Sequence, residues 1–223
     1  MFKRSASAVC VRPSRRRSAR TFAPSNGPSF MLWAAVGIDS RIVEGVEPRS
    51  RLLKRFGLAG YVAKATVPFL FYRGAHMRVS VDNETVEGDF LNVTVCNTRL
   101  YAGGLFNLSP HSVLDDGKVE VWILPGRYSP RMMLHSAQIV TGNHFDSRDI
   151  LCLSGRHVII ESEPAQAYHL DGELNRATPI TCTLQERFLR ILAPQGVPED
   201  LFQETGVRLC NVAEAEVQSS VGG

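Results

Sequence analysis

Three short stretches of this 223-residue chain combine carboxylates or polar side chains with glycine. In Tyr168-His-Leu-Asp-Gly-Glu173, a strand of alternating residues delivers Asp171 and Glu173 to its end. Carboxylates at i and i+2 can face one site when the chain bends between them at Gly172. A carboxylate beside an alcohol can accept its proton during group transfer. The same string also suits a hairpin turn of the Asp-Gly type, with no chemistry at all.

The second stretch is Ser109-Pro-His-Ser-Val-Leu-Asp-Asp-Gly-Lys118. Adjacent carboxylates, Asp115 and Asp116, can ligate a hard cation together with backbone carbonyls. Asp-Asp-Gly equally makes a turn without metal. The third is Asn97-Thr-Arg-Leu-Tyr-Ala-Gly-Gly104, where paired glycines permit close backbone approach or positive φ. It lacks the Gly-Lys-Ser/Thr ending of a nucleotide-binding P-loop, and by itself reads as an ordinary loop.

Other chemistries find less support. His144, His157 and His169 do not cluster, and each reads as a surface or internally satisfied histidine. A Gly-x-Ser-x-Gly nucleophile turn is absent. Cys10, Cys96, Cys152, Cys182 and Cys210 are odd in number and form no Cys-x-x-Cys pair. That disfavours a disulfide framework or zinc site and fits a reducing compartment. Cys96, Cys152 and Cys182 sit among apolar residues and read as buried thiols.

The elements that must hold these stretches are mostly strands. Residues 30–37 are a continuous apolar run ending in glycine, as in a buried strand. Residues 41–47, 49–55 and 58–72 have helical character, broken by Pro48 and Gly57 and disturbed by Pro68. From His76 the period becomes two: Met77, Val79 and Val81 alternate with Arg78 and Ser80, turn at Asp82-Asn83, and return through 85–87. Further strands are expected over 90–96, 119–124, 157–162, 167–170, 180–184 and 188–192. A helix is expected over 130–141, closed by Gly142. The pattern predicts a mainly β chain with added helices (α+β), built as an antiparallel β-sandwich.

Three segments follow. Residues 1–28 hold seven basic residues and no acid, lack periodicity, and read as a disordered tail or, alternatively, an organelle transit peptide. Residues 29–194 form the domain. Residues 195–223 are a polar tail with one weak helix over 199–205. The net charge is +3, so the rest of the chain beyond the basic start sums to −4, which gives no case for nucleic-acid binding. No apolar run approaches the roughly 20 residues that span a bilayer.

The order of the clusters carries more information than any one of them. Gly37-Ile-Asp39, Arg55-Phe-Gly-Leu-Ala-Gly-Tyr61, the 97–104 and 110–117 stretches, Asp171-Gly-Glu173 and Phe188-Leu-Arg-Ile-Leu-Ala-Pro194 follow one another. This series, over roughly residues 30–194, resembles the C-terminal domain of the bacterial diacylglycerol/lipid kinase family, whose superfamily includes sphingosine kinases. The resemblance implies an ATP-dependent transfer of phosphate to a lipid hydroxyl, in a cleft between this β-sandwich and a nucleotide-binding domain. It implies Glu173 as the general base, with Asp171 in the same motif. It also implies a structural Mg2+ held by the Asp116 carboxylate and the carbonyls of Val113 and Lys118.

The sequence departs from the family in places. No Gly-Gly-Asp-Gly-Thr string, the family's ATP-phosphate loop, occurs in it, and Leu105 stands where a third glycine is usual. The reading is therefore a fragment or one half of a split lipid kinase, inactive alone. The alternative is a non-catalytic lipid-binding or interaction module derived from one. A related NAD kinase is disfavoured by the contexts of Asn97 and Asp-Gly-Glu. The expected partners are a lipid substrate at a membrane surface and a separate nucleotide-binding domain or a second copy. The expected location is cytoplasmic and peripheral to the membrane.

Overall fold

The computed structural model describes residues 14–24, 29–46, 71–194, 197–203 and 207–208. The helical stretch expected over 49–55, residues 58–70 of the one expected over 58–72, and the 55–61 motif lie outside the described residues.

Strands β1 (Ser14–Pro24), β2 (Trp33–Gly37), β3 (Ala75–Val81), β4 (Glu84–Cys96), β7 (Val119–Pro125), β8 (Leu151–Gly155), β9 (His157–Glu163), β10 (Ala167–Leu170), β11 (Glu173–Ala177), β12 (Ile180–Pro194) and β13 (Val207–Arg208) build an 11-stranded sheet. Its main path runs β11-β10-β2-β4-β3-β9-β12-β1-β13, and β7 joins β4 to β8. Every recorded pairing is antiparallel. Strands β5 (Leu100–Tyr101) and β6 (Phe106–Asn107) form a separate small ribbon. Among the described residues two α-helices, α1 (Ile38–Val46) and α2 (Ser129–Thr141), complete the expected mainly β, sandwich-like architecture.

The local reasons follow the sequence closely. In β3 the apolar Ala75, Met77, Val79 and Val81 are buried while His76 and Arg78 are exposed, the alternation of a half-buried strand. Strand β2 lies between β4 and β10 and is buried from Ala34 to Gly37, as its unbroken apolar run requires. At Gly37 the chain leaves the sheet for α1 with φ +117°, and a Cβ there would lie 2.5 Å from the Leu91 carbonyl oxygen. Only glycine fits both conditions.

Strand β4 changes character midway. Its pairing with β7 slips between Phe90 and Asn92, so Leu91 is a bulged extra residue. Phe90, Val93 and Val95 therefore join the main core with Met77, Val79, Val121 and Ile160. Leu91 instead packs with Ile38, Leu124 and Met132 under the helices. Both faces of this half are covered, which is why Leu91 to Cys96 are all buried. Helix α2 ends as expected: Gly142 adopts φ +75° and its N–H caps the last turn.

Four local expectations are corrected. Residues 14–24, placed by sequence in an unpacked start, pair with β12 along nearly its whole length. Arginine masks strand periodicity, but the backbone still supplies ladders to β12 and to the terminal strand β13. Strand β12 runs unbroken through 180–194 rather than as two strands, with a register slip in its pairing to β1 between Ala19 and Thr21. Strand β8 was not anticipated; its Leu151 and Leu153 pack on the main core while Cys152 turns outward, so Cys152 is an exposed thiol. Of the weak helix expected over 199–205, the described residues form a single 3-10 turn, Glu199–Leu201, and Phe202 after it is buried.

Candidate functional site

The β10–β11 hairpin presents the Asp-Gly-Glu string. Leu170 pairs with Glu173, leaving Asp171 (φ +49°) and Gly172 (φ +86°) as a two-residue turn of the primed type. Asp171 and Glu173 have different surroundings. The Asp171 carboxylate accepts hydrogen bonds from the backbone N–H groups of Met31 (2.8 Å), Leu32 (2.9 Å) and Trp33 (2.9 Å). Its own N–H donates to the Trp33 carbonyl at 2.9 Å. Sequence reading enters Asp171 beside Glu173 as a chemical group; in the structure its charge is spent on holding the entry to β2. Glu173 is exposed at the start of β11.

The same 31–33 segment carries the second cluster. The Asn97 side-chain amide donates to the Met31 carbonyl at 2.9 Å, and the Asn97 N–H donates to the Leu32 carbonyl. Trp33 and Tyr101 lie ring to ring, with centroids 5.2 Å apart. Three residues of β-entry thus join the Asn97 loop to the Asp171 turn. The loop's glycines are used conformationally: Gly103 and Gly104 have φ +71° and +90°, at an open, exposed position.

Arg99 links the Asn97 loop to the acidic one. Its Nε donates to the Ser112 carbonyl at 2.9 Å. Within the acidic loop Asp116 accepts the Lys118 N–H at 2.9 Å, a local turn-forming bond. Asp115 is buried and accepts the Gln203 N–H at 2.6 Å. The two adjacent acids therefore have separate roles, with Asp115 fastening the C-terminal segment and Asp116 remaining with the loop.

Behind Asp116 stands Glu120 on β7, hydrogen-bonded to the Ser112 hydroxyl. Burial pushes the Glu120 carboxyl above its ordinary range, and the Asp116 charge adds to the rise, against the lowering effect of the Ser112 bond. A cation beside this pair would relieve that repulsion. Among the described residues no group of three or more His, Cys, Asp or Glu is arranged to hold a metal ion. One carboxylate, Asp116, with loop carbonyls such as those of Val113 and Lys118 is a donor set suited to a hard, oxygen-seeking ion, not to zinc.

Two residues escaped sequence reasoning as site elements. His169 is 1 % exposed, and its Nε2 lies 2.6 Å from Asp39 Oδ2 on α1. The Asp39 backbone N–H donates to the Asn92 side-chain oxygen at 3.2 Å. Asp39 was visible only as part of the Gly-Ile-Asp step, and nothing in sequence spacing joins it to His169. Of the other histidines, His144 is buried against Trp122 and Phe145, and His157 is exposed beside Thr183.

Residues 33–193 match the model of the YegS C-terminal NAD kinase beta sandwich-like domain. A protein of Pseudomonas aeruginosa named "Probable lipid kinase YegS-like" is 29% identical over 175 residues, which are 78% of this chain and 56% of that protein. The diacylglycerol kinase of Bacillus subtilis is 22% identical over 176 residues, 79% of this chain and 57% of that one. A crystal structure of a diacylglycerol kinase from Bacillus anthracis superposes with a TM-score of 0.56 at 15% identity, covering 82% of this chain and 56% of that one. At that identity the superposition speaks for the fold. The chain spans just over half the length of these two curated relatives. Among the described residues no helix is long and apolar enough to cross a membrane.

Proposed function

This chain belongs to the family of the YegS C-terminal, NAD kinase beta sandwich-like domain, and from that premise we propose that it forms the lipid-side half of a lipid kinase active site. The reaction is transfer of the terminal phosphoryl group of ATP to a lipid hydroxyl. Glu173 is the general base: it takes the hydroxyl proton as the new P–O bond forms and the bond to the ADP oxygen breaks. The observation that carries this reading is the presentation of Glu173. It is exposed on a hairpin whose preceding acid, Asp171, is anchored by three backbone amides.

Anchoring matters because phosphoryl transfer depends mainly on positioning and on neutralising phosphate charge. Asp171 acts in this scheme as a positioning residue for Glu173. Mg2+ held by Asp116 and the Val113 and Lys118 carbonyls would supply positive charge that steadies the acidic loop. The phosphate cradle, for which this sequence has no Gly-Gly-Asp-Gly-Thr string, is contributed by another domain or chain. The enzyme meets its lipid peripherally, at the cytoplasmic face of a membrane. Names of the relatives, a lipid kinase and a diacylglycerol kinase, support the substrate class and not one lipid within it.

The test measures phosphate transfer from ATP to diacylglycerol in mixed micelles. It compares the chain alone with a chimera in which residues 33–193 replace the matching segment of the Pseudomonas relative. The chain alone is expected to turn over little or nothing. The chimera is expected to be active and to lose roughly 10²- to 10⁴-fold in kcat on Glu173→Gln. An active chimera indifferent to that change would overturn the base assignment. Vesicle binding by the wild-type chain, unaltered by Glu173→Ala and without transfer in the chimera, would favour a non-catalytic lipid-binding module.

A further inference from the structure

We infer that Asp39 and His169 form a positioning pair that locks the turn presenting Glu173, an inference that rests on the reading of Glu173 as the base. Three observations carry it. First, the imidazole of His169 bridges two otherwise separate elements. One nitrogen, Nε2, lies 2.6 Å from Asp39 Oδ2 on α1, and the other, Nδ1, lies 3.3 Å from the Gly172 backbone nitrogen.

Second, the bonding directions assign the tautomer. A backbone N–H can only donate, so Nδ1 accepts from Gly172. The proton then sits on Nε2 and is donated to Asp39. A carboxylate that receives the Nε2 proton fixes both ring orientation and the lone pair aimed at Gly172, the arrangement by which acids orient histidines in other sites. Third, the pair is enclosed. His169 is 1 % exposed and Asp39 is 18% exposed in its side chain, so water competes poorly for either bond.

The consequence lies at Gly172. This residue has φ +86°, and nothing lies within 4 Å of where its Cβ would be. Packing therefore does not hold the turn at that point; hydrogen bonds do. Asp171 ties one side of the turn to the 31–33 amides, and His169 ties the other through the Gly172 N–H. Glu173 is the next residue. Asp39 is in turn held where its backbone N–H meets Asn92, a buried residue on the central strand β4. The Gly-Ile-Asp step and the Asp-Gly-Glu step, 130 residues apart between Asp39 and His169, are one unit in the fold.

The test reads the chain itself, independently of phosphate transfer. Nitrogen-15 NMR of the histidine rings is expected to show His169 as the Nε2–H tautomer. Amide exchange at Gly172 is expected to quicken at least tenfold in Asp39→Ala, with exchange at Val93 and Val95 unchanged. Asp39→Asn, which keeps an acceptor oxygen, is expected to restore most of the protection. An Nδ1–H tautomer, or Gly172 exchange indifferent to both changes, would overturn the pairing. Equal loss of protection at Gly172 and in the core would reduce Asp39 to a general stability residue and overturn it as well. In the chimera described above, Asp39→Ala should lower kcat at least tenfold with KM little changed. If Gly172 responds while Glu173→Gln leaves transfer intact, the lock stands and the base reading fails.

Discussion

The guanidinium of Arg99 holds Asp200, 101 residues further along the chain, through both its carboxylate (2.9 Å) and its backbone carbonyl (2.8 Å). The same side chain donates to the Ser112 carbonyl. Leu114 N–H to Leu201 O and Gln203 N–H to Asp115 Oδ1 run alongside. The segment after β12 is thus fastened across the acidic loop that carries Asp116.

From this geometry the two partners should differ in their mutational cost. The Arg99 side chain is 19% exposed and Asp200 is 72% exposed. Arg99→Ala removes three bonds from a half-buried charge and should cost about 1.5–3 kcal/mol. Asp200→Ala leaves the backbone carbonyl in place and removes only a largely exposed ion pair, so it should cost less than about 1 kcal/mol. Urea unfolding of the two variants checks the order; equal losses would mean that the carboxylate, not the loop contact, carries the link.

Asp171→Ala should destabilise the chain by about 1.5–3 kcal/mol, because three amides at the entry to β2 lose a charged acceptor. Gly172→Ala should cost only about 1 kcal/mol, since its positive φ is unfavourable for alanine but no atom obstructs the new methyl. Thermal unfolding of both variants measures the contrast.

Glu120 gives a pH signature. Its folded pKa is raised, chiefly by burial and further by Asp116, so folding favours the protonated form. Its favourable contribution is present below the unfolded pKa and is lost as pH rises through the folded one. In Mg2+-free buffer Glu120→Gln should therefore stabilise the chain at neutral pH, with the gain shrinking as pH falls through the raised folded pKa and vanishing below the ordinary glutamate value of 4.5. Melting curves at several pH values test this; a gain that persists unchanged in acid would show that charge is not the cause.

Magnesium should raise the melting temperature of the wild-type chain. At a hundred times its dissociation constant, a ligand bound only by the folded state adds about 2.7 kcal/mol. Asp116→Asn should abolish the rise, while Asp171→Asn should leave it. A rise that survives Asp116→Asn would place the ion elsewhere.

Much of the scaffold was legible because burial leaves a local period. Met77, Val79 and Val81 announce β3, the apolar run before Gly37 announces β2, and Gly142 marks the end of α2. The order of weak motifs also disclosed the family before any coordinates. Composition and order suffice there, since each such signal lies within a few residues of chain.

The tertiary structure decided what depends on partners far apart in sequence. Strand β1 is invisible to periodicity because its ladder is built from backbone pairing, which its arginines do not prevent. Cys152 looks buried by its neighbours, yet strand alternation turns it away from Leu151 and Leu153. The division of labour between Asp171 and Glu173 is likewise absent from their spacing. It arises because the amides of Met31, Leu32 and Trp33 arrive beside one acid and not the other. Asp39 meets His169 for the same reason: β10 pairs with β2, and β2 leads directly into α1. Hydrogen-bond partners are chosen by distance in space, and local sequence records only which residues seek a partner.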